Sequence, residues 1–247
     1  MKRPIVAISV ELLEAPYYEG NKRCQLFHAY LDCIRDAGLT PMLLPPDSSD
    51  TELAILLKQV HGVLLTGGDD IDLTLINGPK PLNVCKPIPH AQQKGVFSLI
   101  EYATMNQMPL LGICLGMQMI GVYHGGELIQ HLEQHKKHSA GLPHNVKITK
   151  AGKLETIMGT RDFEVLSYHH QGLATLKSPI DVVGYATDGT IEAIEHTEHP
   201  FMVGVQWHPE KTPQSLSSKL LFNGFATAVK QYQSNFLNKR NGSVGKN

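Results

Sequence analysis

Cysteine is scarce: the 247 residues hold four, at positions 24, 33, 85 and 114, with no Cys-x-x-Cys pair. That excludes a disulfide framework, a zinc ribbon and a thioredoxin-type redox motif. Long apolar runs are missing too. The longest, such as residues 4–10 and 109–115, fall far short of the ~20 residues a spanning helix requires, so no membrane segment is expected. A secretory leader is not expected either, because Lys2 and Arg3 resemble a basic n-region but Glu11 and Glu14 interrupt the apolar stretch early. The expected compartment is the cytoplasm. There is no excess of one charge: 22 Lys+Arg against 23 Asp+Glu leave a formal −1. No segment before the tail is basic enough to track a phosphate backbone, so nucleic acid is not an expected partner. What the chain does have is core-forming material. With 42% hydrophobic and 18% charged residues it is neither disordered nor fibrous, and a chain of this length buries roughly 70–75% of its unfolded surface without a staple. At ~150 residues per domain, one large domain is the expected organisation.

Hydrophobic periodicity predicts an alternation of strands and helices. Residues 4–10 read as a strand buried on both faces, and 40–45, 62–66 and 108–114 as further short strands. Helices are predicted over 25–37, 49–60 (capped by Ser49 or Asp50), 91–105, 115–124 and 215–232. After Gly125-Gly126 the chain turns β-rich, with strands predicted over 145–149, 163–167, 181–187, 190–195 and 202–206. This pattern implies an α/β fold: a flavodoxin-like three-layer sandwich, its central sheet mostly parallel with an antiparallel extension. Residues 69–90, rich in proline and without period, read as a long functional loop. Residues 238–247 read as a mobile C-terminal tail beyond a domain spanning 1–237.

The sharpest chemical feature is Gly112-Ile-Cys114-Leu-Gly116-Met-Gln118, at a predicted strand-to-helix junction. Glycines two before and two after a nucleophile permit the tight turn that lifts its side chain above a sheet. A thiol at a helix start also gains from the dipole and from free backbone N–H groups, which lower its pKa and offer half an oxyanion hole. A buried, inert cysteine is the plainer reading of any lone Cys; the two glycines argue against it here. A thiol nucleophile needs a base and a group to orient that base, and Gln206-Trp207-His208-Pro209-Glu210 supplies both at the end of a predicted strand.

Gly-Ile-Cys-Leu-Gly-Met-Gln together with Val-Gly-Val-Gln-Trp-His-Pro-Glu resembles the class I glutamine amidotransferase superfamily, of the peptidase C26 type. Gly67-Gly68 resembles its oxyanion loop, and Gly125-Gly126 and the 188–193 segment match further stretches. The 165–172 segment, with His169, His170 and Gln171, is most similar to γ-glutamyl-γ-aminobutyrate hydrolases, although Leu115 stands where many of these carry Arg. The resemblance implies a triad of Cys114, His208 and Glu210, a γ-glutamyl thioester, and no metal or organic cofactor. It also implies oxyanion or substrate contacts from Gly67, Gly68, Leu115, Gln118, His169 and His170. The expected partner is a small γ-glutamyl substrate; the sequence leaves a homodimer open. Two rivals remain: a glutaminase subunit that hands ammonia to a synthase, and a binding protein with a disabled site, against which the intact triad argues.

Two other clusters invite metal readings. His131, His135 and His138 stand at steps of four and three, but no carboxylate or cysteine completes a convincing site, so a polar loop is expected and no metal site is assigned. Asp69, Asp70 and Asp72 lack EF-hand spacing; a rim meeting a substrate α-amino group is the better use.

Overall fold

The computed structural model describes residues 3–17 and 19–244, with side chains as far as residue 238. The strands are β1 (Ile5–Ser9), β2 (Glu11–Glu14), β3 (Lys22–Gln25), β4 (Thr40–Leu44), β5 (Gly62–Leu65), β6 (Leu110–Ile113), β7 (Leu128–Ile129), β8 (Leu142–Ile148), β9 (Asp162–Ser167), β10 (Gly172–Leu173), β11 (Ile180–Ala186), β12 (Ile191–His196) and β13 (Met202–Val205). The helices are α1 (His28–Asp36), α2 (Asp50–Leu57), α3 (His90–Asn106), α4 (Leu115–Tyr123), α5 (Lys153–Met158) and α6 (Leu216–Val244). Among the described residues, nine strands form one sheet in the order β4-β1-β5-β6-β13-β12-β11-β8-β9. The first five are mutually parallel and each later neighbour pairs antiparallel. This is the α/β sandwich with an antiparallel extension that the strand–helix alternation predicts.

The parallel strands lack polar alternation because both of their faces are buried. Period two sends Val6, Ile8, Leu64, Leu111, Ile113, Val203 and Val205 into one layer, against Ile34 of α1 and Leu221, Phe225 and Val229 of α6. Ala7, Val63, Leu65, Leu110 and Met202 enter the other, against Leu53 and Leu57 of α2, Leu99 and Ile100 of α3, and Ile120 of α4. Burying one such aliphatic side chain contributes about 1.5–3 kcal/mol, so a polar residue on either face would disrupt a core. Helix starts follow local chemistry. Ser49 caps α2 in a reciprocal box, its hydroxyl accepting from the Glu52 N–H at 3.3 Å while the Glu52 carboxylate accepts from the Ser49 N–H at 2.8 Å.

Several features depart from the sequence reading, among them α5, β7 and β10, which it does not predict. Helix α1 begins at His28 rather than 25, because Lys22–Gln25 pairs with β2 in a separate hairpin. Helix α6 continues to Val244, through positions expected to be tail; residues 245–247 lie outside those described. The 69–90 loop, read as without period, holds a 3₁₀ turn at Leu73–Ile76 and is pinned internally. The Asp70 carboxylate accepts from the Lys86 N–H at 2.7 Å, and its backbone pairs with Lys86 and Ile88. No helix among the described residues is long and apolar enough to cross a membrane.

Candidate active site

Strand β6 ends at Ile113 and α4 begins at Leu115, so Cys114 alone makes the turn, at φ 51° and ψ −106°. A left-handed φ is costly for a residue with a Cβ. It is held here by the Cys114 N–H donating to the Val205 carbonyl at 2.8 Å and by the Gln118 N–H donating to the Cys114 carbonyl at 3.1 Å. The flanking glycines are required by close approach. A Cβ on Gly112 would lie 2.7 Å from the Gly116 carbonyl carbon, and one on Gly116 would lie 2.5 Å from the Leu65 carbonyl oxygen. The Gly-x-Cys-x-Gly spacing is therefore the condition for α4 to rest on β5 and β6 with the thiol at its N-terminus.

Beyond β13 the chain reaches a short 3₁₀ turn, Pro209–Lys211. Trp207 is fully buried, with Phe163 edge-on at 5.5 Å, and anchors this exit. His208 Nδ1 lies 2.6 Å from Glu210 Oε1, with both residues buried. A Cβ built on Gly67 would lie 2.7 Å from His208 Cε1 and 3.5 Å from Cys114 Cβ, so imidazole and thiol converge over this glycine. Burial pulls the His208 pKa down, but the Cys114 charge and hydrogen bond, followed by Glu210, outweigh it and push the imidazole up to about 10. Gln206, on the same exit, directs its amide Nε2 at Cys114 Sγ at 3.5 Å.

The two expected oxyanion glycines differ. The Gly67 N–H donates to the buried Tyr30 hydroxyl at 3.0 Å, so it is not free for a substrate oxygen, and its contribution is the missing Cβ. The N–H groups of Gly68 and Leu115 have no hydrogen-bond acceptor among the described residues. A Cβ on Gly68 would lie 2.9 Å from Leu115 Cδ2, which sets those two residues side by side. Tyr30 escapes sequence reading because it falls on the apolar face of α1, where its hydroxyl has no visible purpose.

A cleft of about 350 Å³ opens over the thiol, walled by Gly68, Asp69, Asp70, Lys86 and residues 168–171. Gln118 lines it too, and its amide donates to the Gln171 carbonyl and to Gln206 Oε1, both at 3.1 Å, tying the wall to the β13 exit. Tyr168 stands edge-on to His208 at 5.6 Å, with Lys211 Nζ 3.4 Å over its ring centroid. His170 is held by Asp70 at 3.0 Å, and that hydrogen bond, ahead of burial, raises its pKa. Its other nitrogen lies 3.1 Å from His131. His169 spends Nδ1 on the Gln171 carbonyl at 2.9 Å and aims Nε2 at Glu192, 3.5 Å away. Neither imidazole turns an unclaimed nitrogen to the cleft, since His170 is engaged at both nitrogens and His169 Nε2 points inward to Glu192; both shape the wall. Asp69 makes no hydrogen bond or ion pair among the described residues, and burial followed by the Asp70 charge raises its pKa.

The remaining candidates separate. Asp70 and Asp72 are structural, the latter receiving the Thr74 N–H at 2.9 Å and pairing with His90 at 2.8 Å. His131 and His135, the latter opening a 3₁₀ turn, have ring centroids 4.2 Å apart with tilted planes, whereas His138 turns into the protein interior. A larger depression of about 670 Å³ beside α5 and α6 contains none of the thiol, imidazole or glycine-loop groups.

Two histidines outside the cleft lining, His199 buried and His124 half-buried, carry a pH prediction. Burial, then neighbouring histidines, lowers His124 to about 4. His199 is lowered to about 4 chiefly by burial, and both its ring nitrogens are engaged, near the Ala103 carbonyl and the Phe201 N–H. Between an unfolded histidine value of about 6.5 and the folded value, the unfolded chain takes up protons that the folded chain refuses, so stability falls as pH drops through this window. His170 and His208 have raised folded values; their contributions are already fully present below about 6.5 and do not offset the slope. Thermal melts at about pH 7 and about pH 4.5 should show lower stability in acid, and His199→Gln should flatten the difference. A pH-independent melt over that range would contradict the assignment.

The fold is that of the class I glutamine amidotransferases. A Thermoplasma acidophilum crystal structure, provisionally described as a subunit of GMP synthase, superposes with a TM-score of 0.67 over 95% of this chain and 98% of its own, at 17% identity. The chain belongs to the peptidase C26 family, whose model matches residues 4–210. A Mycobacterium tuberculosis protein carrying the provisional name glutamine amidotransferase is 34% identical over 211 residues, covering 82% of this chain and 67% of the relative. The γ-glutamyl-γ-aminobutyrate hydrolase PuuD of Escherichia coli K12 is 28% identical over 233 residues, covering 87% and 90%.

Proposed function

We propose that this chain is a cysteine hydrolase that cleaves γ-glutamyl amide bonds through a γ-glutamyl thioester on Cys114. The observation that carries the reading is Cys114 at positive φ immediately before α4, converging with the buried His208–Glu210 pair. His208 removes the thiol proton and Sγ adds to the γ-carbonyl carbon; the oxygen takes the negative charge between the Gly68 and Leu115 N–H groups. The tetrahedral adduct collapses, the C–N bond breaks, and the departing nitrogen takes the proton from His208, whose cation Glu210 orients. Water then adds to the thioester as His208 takes its proton, and collapse releases glutamate and restores the thiol. Asp69, unpaired among the described residues and lining the cleft, is the group proposed to receive the substrate's α-ammonium.

The family name and the hydrolase relatives support amide hydrolysis. The cleft supports a leaving group larger than ammonia, since its 168–171 wall and the pinned 69–90 loop enclose room beside the thiol. Discrimination for a bulkier amine is useless to a dedicated glutaminase, which gains nothing from binding what it does not release. Assayed on the purified chain alone, γ-glutamyl-γ-aminobutyrate or a γ-glutamyl dipeptide should show a higher kcat/KM than glutamine. If glutamine is the better substrate, or turnover appears only with a second protein, the reading of a glutaminase subunit replaces this one; relatives named as amidotransferases support that alternative.

A further inference from the structure

Behind the 168–171 wall, four polar side chains from separate parts of the chain meet in the interior. Glu192 of β12 is fully buried. His144 of β8 approaches its Oε1 with Nε2 at 3.0 Å, His138 with Nδ1 at 3.2 Å, and His169 with Nε2 at 3.5 Å. The rings crowd one another, with centroids 4.8 Å apart for His138–His144 and 4.9 Å for His138–His169. The sequence reading rejected a metal site at His131, His135 and His138 for want of a carboxylate. The carboxylate is 54 positions beyond His138, as 192 − 138, and only the fold brings it near.

The hydrogen bonds on the far side of two rings decide what their near nitrogens offer. His138 Nε2 lies 2.9 Å from Asp188 Oδ2, and His169 Nδ1 lies 2.9 Å from the Gln171 carbonyl oxygen. An acceptor at the far nitrogen draws the ring proton there and turns a lone pair toward the centre, the arrangement by which outer carboxylates and carbonyls orient metal-binding imidazoles. Lone pairs facing a carboxylate in a dry interior repel unless a cation lies between them. Consistent with a missing positive partner, His138 Nδ1, His169 Nε2 and Glu192 Oε2 are all buried without a hydrogen bond.

We propose that His138, His144, His169 and Glu192 are the ligands of a zinc-class divalent cation. With bonds of about 2.0–2.1 Å, the ligand atoms of a tetrahedral site stand roughly 3.4 Å apart, and the three nitrogen-to-oxygen distances bracket that value. The ligand atoms of His138, His144 and Glu192 all lie within 4.8 Å of one another, so modest side-chain adjustment closes the set. Three imidazoles and one carboxylate favour zinc over calcium or magnesium, which prefer oxygen donors. Four protein ligands, three of them buried and His144 partly so, make a closed site with no open position for water, so the ion is structural. It ties β8 and β12 to His169, and thereby holds the cleft wall without entering the chemistry at Cys114.

The test uses the full-length Cys114→Ala chain, which removes the catalytic thiol as a competing zinc ligand. After loading with zinc and dialysis, elemental analysis should find close to one zinc per chain. Chelation should lower the melting temperature, and added zinc should restore it. Cobalt(II) loaded in its place should give visible bands of a tetrahedral nitrogen–oxygen site without thiolate charge-transfer absorption; this readout needs no ligand variant to fold. His144→Ala and Glu192→Gln, checked for native circular dichroism, should each lose the metal. No retained zinc together with a zinc-independent melt would show that protons alone balance the cluster and would overturn the proposal. Undiminished zinc in a folded His144→Ala chain would overturn it as well.

Discussion

Cys114→Ala is expected to abolish turnover of γ-glutamyl amides, by about 10⁴- to 10⁶-fold, while the chain stays folded. The loss is large because no other group can form the thioester; the residual rate would come from the donors of Gly68 and Leu115 and from substrate binding. The fold should survive because only one sulfur atom leaves the elbow. The left-handed turn is held by backbone bonds to Val205 and from Gln118, which alanine retains. A glutamine-derived chloroketone should modify Cys114 stoichiometrically in the parent chain and leave the variant unlabelled. Cys33, which burial together with the Glu210 charge pushes up to about 12, should stay unmodified. Peptide mapping that places the adduct on Cys24, Cys33 or Cys85 would reject the nucleophile assignment.

The second large effect belongs to the imidazole. His208→Ala should approach the Cys114→Ala loss, because base and nucleophile act as a unit and their deletions do not add. Glu210→Gln should be milder, since an amide oxygen can still accept from Nδ1 at the position where Oε1 now stands 2.6 Å away. The two variants should also differ in the rate of inactivation by iodoacetamide at neutral pH. Without the His208 base, alkylation of the thiol should slow markedly. With the imidazole kept but less well supported in Glu210→Gln, the slowing should be smaller. Wild-type turnover in His208→Ala, or an unchanged inactivation rate, would end the triad reading.

The alternation of strands and helices, the nucleophile elbow and the His-x-Glu exit were all legible in the sequence for one physical reason. Each is set by spacing within a few residues. Period two with both faces apolar marks β1, β5, β6 and β13 wherever they later pair, and Gly112 and Gly116 mark the elbow because backbone passes within 3 Å of where their Cβ atoms would be. The β2–β3 hairpin was not legible: Glu11, Glu14, Lys22 and Arg23 give it no apolar alternation, and backbone pairing holds its register. The true length of α6 was hidden as well, since the last described turns follow no apolar period.

The contents of the site divide along the same line. Sequence alone named Cys114, His208 and Glu210, and gathered Gly67, Gly68, Leu115, Gln118, His169 and His170 around them. Tertiary structure decided what each can offer. It spends the Gly67 N–H on Tyr30, 37 residues away, and leaves the Gly68 N–H unclaimed. It turns His169 from the cleft toward Glu192, and gathers His138 and His144 to the same carboxylate. These outcomes depend on which nitrogen or oxygen is left without a partner once distant strands have packed, and residue identity along a chain does not carry that information; burial and hydrogen-bond satisfaction do.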